Sequence, residues 1–317
     1  MFLWLSYSIY RQIQNHADLD QSWDIFQDSF KGKGVWKILF VLVLMLANWG
    51  IEAKKWQLLV IRVQSITYLR SYRAIFSGQA FALNSINKTG DFVGRILYLE
   101  EGNRLRAISL TLVGSMSQML VTFAIGFVAL LGLRFTLLEN HALLQGLSAF
   151  WLDALLIGLL PIVILIIIFY YNVALFIRWL EKIPFISKYK FFIEKLDTLE
   201  HKELTRILLL SASRYVVVIV QYVLLLQVFG ANASVLELSM LVAVFFILLA
   251  MVPTIAWAEL GLRGKLSLLL FGLVTSNQVA IIAATVGIWV INLIVPAILG
   301  SLLLLGLKLF KQKENID

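Results

Sequence analysis

The 317 residues are 60% hydrophobic and 15% charged, with a mean hydropathy of +0.87. So much apolar surface has no water-facing complement in a soluble domain, which leaves a polytopic helical membrane protein. Absent cysteine excludes disulfides, thiolate metal sites and cysteine nucleophiles, and a net charge of +8 fits basic cytoplasmic loops facing anionic lipid rather than nucleic acid.

In chain order, the opening stretch Met1 to Tyr10 is apolar but too short to span, and it lacks the basic start and small-residue cleavage site of a signal peptide. It reads as a truncated first helix or a segment in the interface, with an outer loop to about residue 34. Judged against the roughly 20 residues that a spanning helix needs, the clear spans are about 35–56, 107–131, 149–177, 207–229 and 279–306. Two further apolar stretches, about 74–99 and 238–274, are each interrupted by charge. Segment 178–206, with seven basic and five acidic residues, reads as an amphipathic cytoplasmic connector inside a single membrane domain, 1–317.

Loop charge sets the orientation. Segments 57–73, 100–106, 178–206 and 308–317, with Lys54 and Lys55, hold seventeen basic residues, whereas 11–34 and 132–148 hold only Arg11, Lys31, Lys33 and Arg134. The first group is expected in the cytoplasm, together with the C-terminus. The five spans then alternate only if each interrupted stretch enters and leaves on one side, 74–99 from the cytoplasm and 238–274 from outside. Two re-entrant hairpins from opposite faces are the product of an inverted repeat.

The interruptions carry the candidate chemistry. The first runs Lys88-Thr89-Gly90-Asp91-Phe92-Val93-Gly94-Arg95, and the second runs from Pro253 through Glu259, Gly261, Arg263 and Gly264 to Lys265. Gly90, Gly94, Pro253, Gly261 and Gly264 are expected to shape the hairpin backbone. Asp91 with Arg95, and Glu259 with Arg263, are acid and arginine four apart on one helical face. Each acid can neutralise its arginine or hold the guanidinium in one orientation, and a planar guanidinium can grip phosphate with two parallel hydrogen bonds. Lys88 and Lys265 flank the pairs. The six charged residues therefore read either as a site for a phosphate-bearing or zwitterionic headgroup, or as salt bridges that lock hairpin tips.

Elsewhere, Asn48, Glu52, Gln118, Asp153, Arg214, Gln221 and Asn292 are polar within spans. Asn48 and Asn292 are candidate interhelical partners. Arg214 reads as snorkelling to the interface, and Trp36, Trp49, Trp151 and Trp179 read as belt anchors. His16, His141 and His201 fall in expected loops, without a zinc-binding spacing. Asp18-Leu19-Asp20 reads as a solvated loop. No metal, cofactor or nucleophile and base pair is expected.

The stretch Asn48-Trp49-Gly50-Ile51-Glu52-Ala53-Lys54-Lys55-Trp56, the Gly90-Asp91-x-x-Gly94-Arg95 break and the Pro253 to Arg263 segment resemble the lysylphosphatidylglycerol synthase transmembrane region family, over about residues 36–306. The resemblance implies a flippase-like protein of the bacterial inner membrane. In multiple peptide resistance factors, the best understood members, the membrane half translocates aminoacylated phosphatidylglycerol and a soluble half makes it. A chain ending at Asp317 is expected to carry the translocase part alone, without synthase activity, and to meet membrane phospholipids and a separate lipid-modifying enzyme. Many members have Pro-Gly and a glutamate at the first break; here Asn87, Lys88 and Thr89 precede Gly90, and the acid is Asp91, which leaves the lipid substrate open. The alternative is a non-transporting accessory subunit of a lipid- or glycan-modifying enzyme. Oligomeric state is not legible.

Overall fold

The computed structural model describes residues 19–83, 85–86, 88–140, 147–173, 199–253 and 256–314. The opening stretch, His16, Asp18, Asn87, His141, Trp179 and most of the 178–206 connector lie outside these residues. What is described is helical throughout. In order come α1 (Leu19–Asp28), α2 (Lys33–Val60), α3 (Tyr68–Ala82), α4 (Asp91–Ile96), α5 (Glu101–Asn140) and α6 (Leu147–Tyr171). After the connector follow α7 (His201–Val228), α8 (Val235–Met251), α9 (Ala256–Phe271), α10 (Gln278–Trp289), a π-helical turn (Val290–Ile294) and α11 (Val295–Glu314). Five segments are long and apolar enough to cross a membrane: Lys33–Val60, Glu101–Thr136, Leu152–Tyr171, His201–Val228 and Gln278–Gly306. These are the five spans expected from hydropathy. His201 opens α7 instead of lying in a loop.

Local chemistry explains where the helices start. Thr67 Oγ1 accepts from Arg70 N at 3.3 Å to cap α3, Ser234 and Glu237 form a reciprocal capping box on α8, and Asn277 Oδ1 accepts from Ala280 N at 2.9 Å to cap α10. The π turn has an equally local cause. Pro296 lacks the N–H that an unbroken α-helix would give to the carbonyl of Asn292, so the ladder is locally rewritten there.

Helices α2 and α7 run antiparallel and form the spine. At one end Arg62 pairs with Glu203, and at the other Ser29 Oγ donates to Val228 O at 2.6 Å. A 28-residue helix is about 42 Å long at 1.5 Å per residue, so these ends are far apart. The α3–α4 pair leaves and returns at the first end, where Gln64 Oε1 accepts from Glu100 N at 3.0 Å. The α8–α9 pair leaves and returns at the second, where Asn277 Nδ2 donates to Phe229 O at 3.4 Å. Two helix pairs thus fold back from opposite ends of one spine.

The pairs are also exchanged between the halves. Gly300 of α11 lies against α3 so closely that an added Cβ would sit 1.8 Å from Phe76 O, and a Cβ on Gly126 of α5 would sit 2.3 Å from Ile247 of α8. Each half's last helix therefore grips the other half's helix pair. Apolar packing completes the bundle: one cluster joins Val41, Tyr222, Phe245 and Phe271, and another joins Trp49, Trp56, Ile75 and Phe76. Many polar groups inside it are matched, as Tyr222 is to Thr285 at 2.6 Å.

Candidate functional site

The first break begins where α3 ends. Lys88 takes a φ of 61°, a left-handed turn uncommon for a side chain of this size, and Gly90 N donates to Ser85 Oγ at 2.8 Å to close the loop. Helix α4 then starts at Asp91 and crosses α3 in backbone contact, because a Cβ on Gly94 would lie 2.5 Å from Gly78 Cα. That close approach carries Asp91 and Arg95 inward. At the second break the chain leaves α8 through Val252 and Pro253, and Glu259 and Arg263 sit on the early turns of α9. Gly261 and Gly264 lie inside α9 and not at the tip expected of them. Here the break is made by extended backbone at Val252 and by Pro253, which cannot donate to a helix ladder.

Both breaks face one cavity of about 660 Å³. Lys88 Nζ of the first lies 3.5 Å from Glu259 Oε2 of the second, so the two tips meet. Around them a charged network is built from the spine. Arg95 donates through Nε to Asp91 Oδ1 at 2.9 Å and through Nη1 to Glu52 Oε1 at 3.0 Å, with a further close contact from Nη2 to Asp91 Oδ2. Glu52 also accepts from Arg214 Nη1 at 3.0 Å and pairs with Lys55 Nζ at 2.8 Å. Arg263 Nε donates to Glu259 Oε1 at 2.9 Å. Gln79 Nε2 reaches Asp91 Oδ1 at 3.3 Å.

A neutral relay extends the network. Arg214 Nε donates to Asn48 Oδ1 at 2.9 Å, Asn48 Nδ2 to Asn292 Oδ1 at 3.3 Å, Asn292 Nδ2 to Gln221 Oε1 at 3.1 Å, and Gln221 Nε2 to Val41 O at 2.9 Å. Asn48 and Asn292 are partners, as expected, and Asn292 sits in the π turn. One wall of the cavity is apolar, with Leu112, Met119, Val218, Phe246 and Leu249. The arrangement is a charged floor beside an oily wall.

With this geometry in view, the comparison with protein families is decisive. The family described as the lysylphosphatidylglycerol synthase TM region matches residues 16–300. The chain belongs to that family. No curated protein matches it. In this lysylphosphatidylglycerol synthase TM region protein, five of the six charged residues expected at the breaks, Lys88, Asp91, Arg95, Glu259 and Arg263, line the shared cavity. Lys265 does not: it is exposed on α9, on the far side from Arg263.

Three residues of the site were assigned elsewhere by sequence. Arg214 does not snorkel to an interface, because Glu52 and Asn48 hold its guanidinium while Trp49 stacks beneath it with 4.8 Å from Cζ to the ring centroid. Trp49 is 5% exposed and is no belt anchor, unlike Trp36 at 73%. Lys55 is not a loop cation; α2 continues to Val60, and Lys55 is buried with Nζ donating to Ser211 Oγ at 3.2 Å and Gly114 O at 3.3 Å. The available signal was the acid and lysine spacing of Glu52 and Lys55 between Trp49 and Trp56, where an apolar face contains an ion pair.

Proposed function

We propose that this protein moves a phospholipid or lipid-linked headgroup between the leaflets of a bacterial inner membrane. The single observation that carries the reading is the meeting of two helix breaks, folded back from opposite ends of the spine, over one charged cavity with an apolar wall. A phosphate cannot cross hydrocarbon bare, and a polar route at mid-depth answers that need, while acyl chains are free to remain against the apolar side. On this reading α3–α4 and α8–α9 are re-entrant hairpins, α3–α4 entering from the cytoplasm, with the C-terminus cytoplasmic. Arg95 and Arg263 are committed to carboxylates, so they hold the site's shape. Arg214 and Lys88, with side chains 20% and 40% exposed, are the cations that meet the headgroup phosphate.

Leaflet exchange of fluorescent phospholipids in reconstituted vesicles tests this. The protein should accelerate exchange over protein-free vesicles. Arg214→Lys keeps the charge but loses the planar fork and the stacking on Trp49, and should slow exchange about tenfold, the equivalent of one charge-assisted hydrogen bond. Exchange no faster than in empty vesicles for every lipid tried would defeat the proposal and favour an accessory subunit of a lipid-modifying enzyme.

A further inference from the structure

The charges that line the cavity do not balance. Among the described residues, Lys55, Lys88, Arg95, Arg214 and Arg263 face three carboxylates, Glu52, Asp91 and Glu259, an excess of two positive charges. The sharing is uneven as well. Glu52 alone serves Lys55, Arg95 and Arg214, so its one negative charge is divided among three cations. An uncompensated cation inside a membrane protein is strongly disfavoured, and a counter-anion that enters the cavity relieves it.

Unused donors point the same way. Arg214 spends Nε and Nη1 on Asn48 and Glu52 and makes no bond from Nη2 among the described residues. Beside it, the indole N–H of Trp49, a residue 95% buried in the cavity lining, has no hydrogen-bond partner among the described residues. Lys88 Nζ has only the long 3.5 Å contact with Glu259 Oε2. Arg214 Nη2 and the Trp49 N–H thus have nothing to accept from them, and Lys88 is only loosely held. The missing group is therefore an acceptor, and one that carries more than a single negative charge.

We propose that the cavity selects a phosphate bearing two negative charges, a phosphate monoester or diphosphate, over singly charged diesters and over headgroups with a compensating ammonium. A phosphate monoester carries about −1.5 to −2 at neutral pH and presents three acceptor oxygens, which matches the charge excess and can serve the two idle donors together with the loosely held Lys88. A diester neutralises half of the excess, and a zwitterion none. The proposal deepens the reading above and rests on the cavity being the headgroup site.

Binding to the purified full-length protein separates the cases, with dihexanoyl phosphatidic acid as the monoester, dihexanoyl phosphatidylglycerol as the diester, dihexanoyl phosphatidylcholine as the zwitterion and inorganic phosphate as the free anion. Phosphatidic acid should bind at least about tenfold more tightly than phosphatidylglycerol, and phosphatidylcholine should bind weakest. Inorganic phosphate that competes as well as phosphatidic acid would uphold the charge selection but assign the site to a free anion; a large advantage for the lipid assigns it to a headgroup. Lys88→Asn removes one charge at a partly exposed position, with a residue that accepts a left-handed backbone, and should cut the monoester preference severalfold while the thermal midpoint is kept. Arg214→Gln should also cut the monoester preference severalfold. Equal affinity for monoester and diester, or tighter binding of the zwitterion, would overturn the selection even if leaflet exchange is observed. Monoester selection in a protein that exchanges no lipid would overturn the translocase reading alone.

Discussion

Glu52 is the residue on which the site depends. It is 4% exposed, and its two oxygens hold Arg95 at 3.0 Å, Arg214 at 3.0 Å and Lys55 at 2.8 Å. Glu52→Gln keeps the shape and removes the charge, so buried Lys55 and Arg95 and partly buried Arg214 lose their common partner. Breaking a buried ion pair from one side costs about 3–5 kcal/mol, and a marked fall in the thermal unfolding midpoint in detergent is expected. Lys55→Met added to Glu52→Gln removes one of the orphaned cations and should recover part of the loss, the signature of coupled residues. An unchanged midpoint for Glu52→Gln would show that the network does not bear on stability. Reversing the neighbouring pair, Asp91→Arg with Arg95→Asp, is not an equivalent probe, because it would set a new carboxylate against Glu52. At this scale the breaks were legible and the spine was not. Asp91, Arg95, Glu259 and Arg263 interrupt apolar runs and stand out in one dimension. Glu52, Lys55 and Arg214 lie near the ends of long runs, where hydropathy reads a boundary; only the packing of α2 on α7 turns them inward.

At the scale of helices, close approach without side chains holds the two halves together. Gly300 packs its Cα face on the α3 backbone, and an added Cβ would meet Phe76 O at 1.8 Å, its carbonyl carbon at 2.5 Å and Ser77 N at 3.0 Å. Backbone cannot swing aside as a flexible side chain can. Gly300→Ala must therefore separate α11 from α3, with a loss of about 1–3 kcal/mol typical of overpacking. Gly158→Ala is the internal control: that glycine sits in α6 with nothing within 4 Å of an added Cβ, so helix propensity alone acts and stability should hold or rise. Comparable destabilisation by both would mean that the α3–α11 contact is not tight. Hydropathy and loop charge predicted the number of spans and the pairing of each interrupted stretch. They could not predict that α3 packs on α11 and α8 on α5, since contacts between halves leave no local pattern beyond isolated small residues. The second break was located at Pro253 but drawn too long, for a related reason. Gly261 and Gly264 look like breakers in sequence, yet glycine is tolerated within a helix that is held by its neighbours, and Pro253 is the actual stop.

For the whole molecule, the prediction concerns which ends of the spine face which compartment. Hydrogen bonds set residues 64 and 100 together at the Arg62–Glu203 end, and residues 229 and 277 together at the Ser29–Val228 end. That much follows from the fold and is independent of any membrane. On the proposed orientation the basic loops put the first end in the cytoplasm, where lipid headgroups and the membrane potential favour Lys and Arg. The chain has no cysteine, so single cysteines report sidedness without background. Ser65, Glu101, Asn232 and Ser276 are all exposed and flank the two helix pairs, whereas Ser71, 0% exposed, would not react. With a membrane-impermeant maleimide on intact cells, Asn232→Cys and Ser276→Cys should label, and Ser65→Cys and Glu101→Cys should label only after the membrane is opened. Labelling of Ser65→Cys and Glu101→Cys from opposite sides would contradict a hairpin in the first half, and reversal of all four would keep the hairpins but invert the protein. On the proposed function, either result would also change which leaflet each break draws a headgroup from, because the two tips meet at Lys88 and Glu259 while their helix pairs fold back from opposite ends.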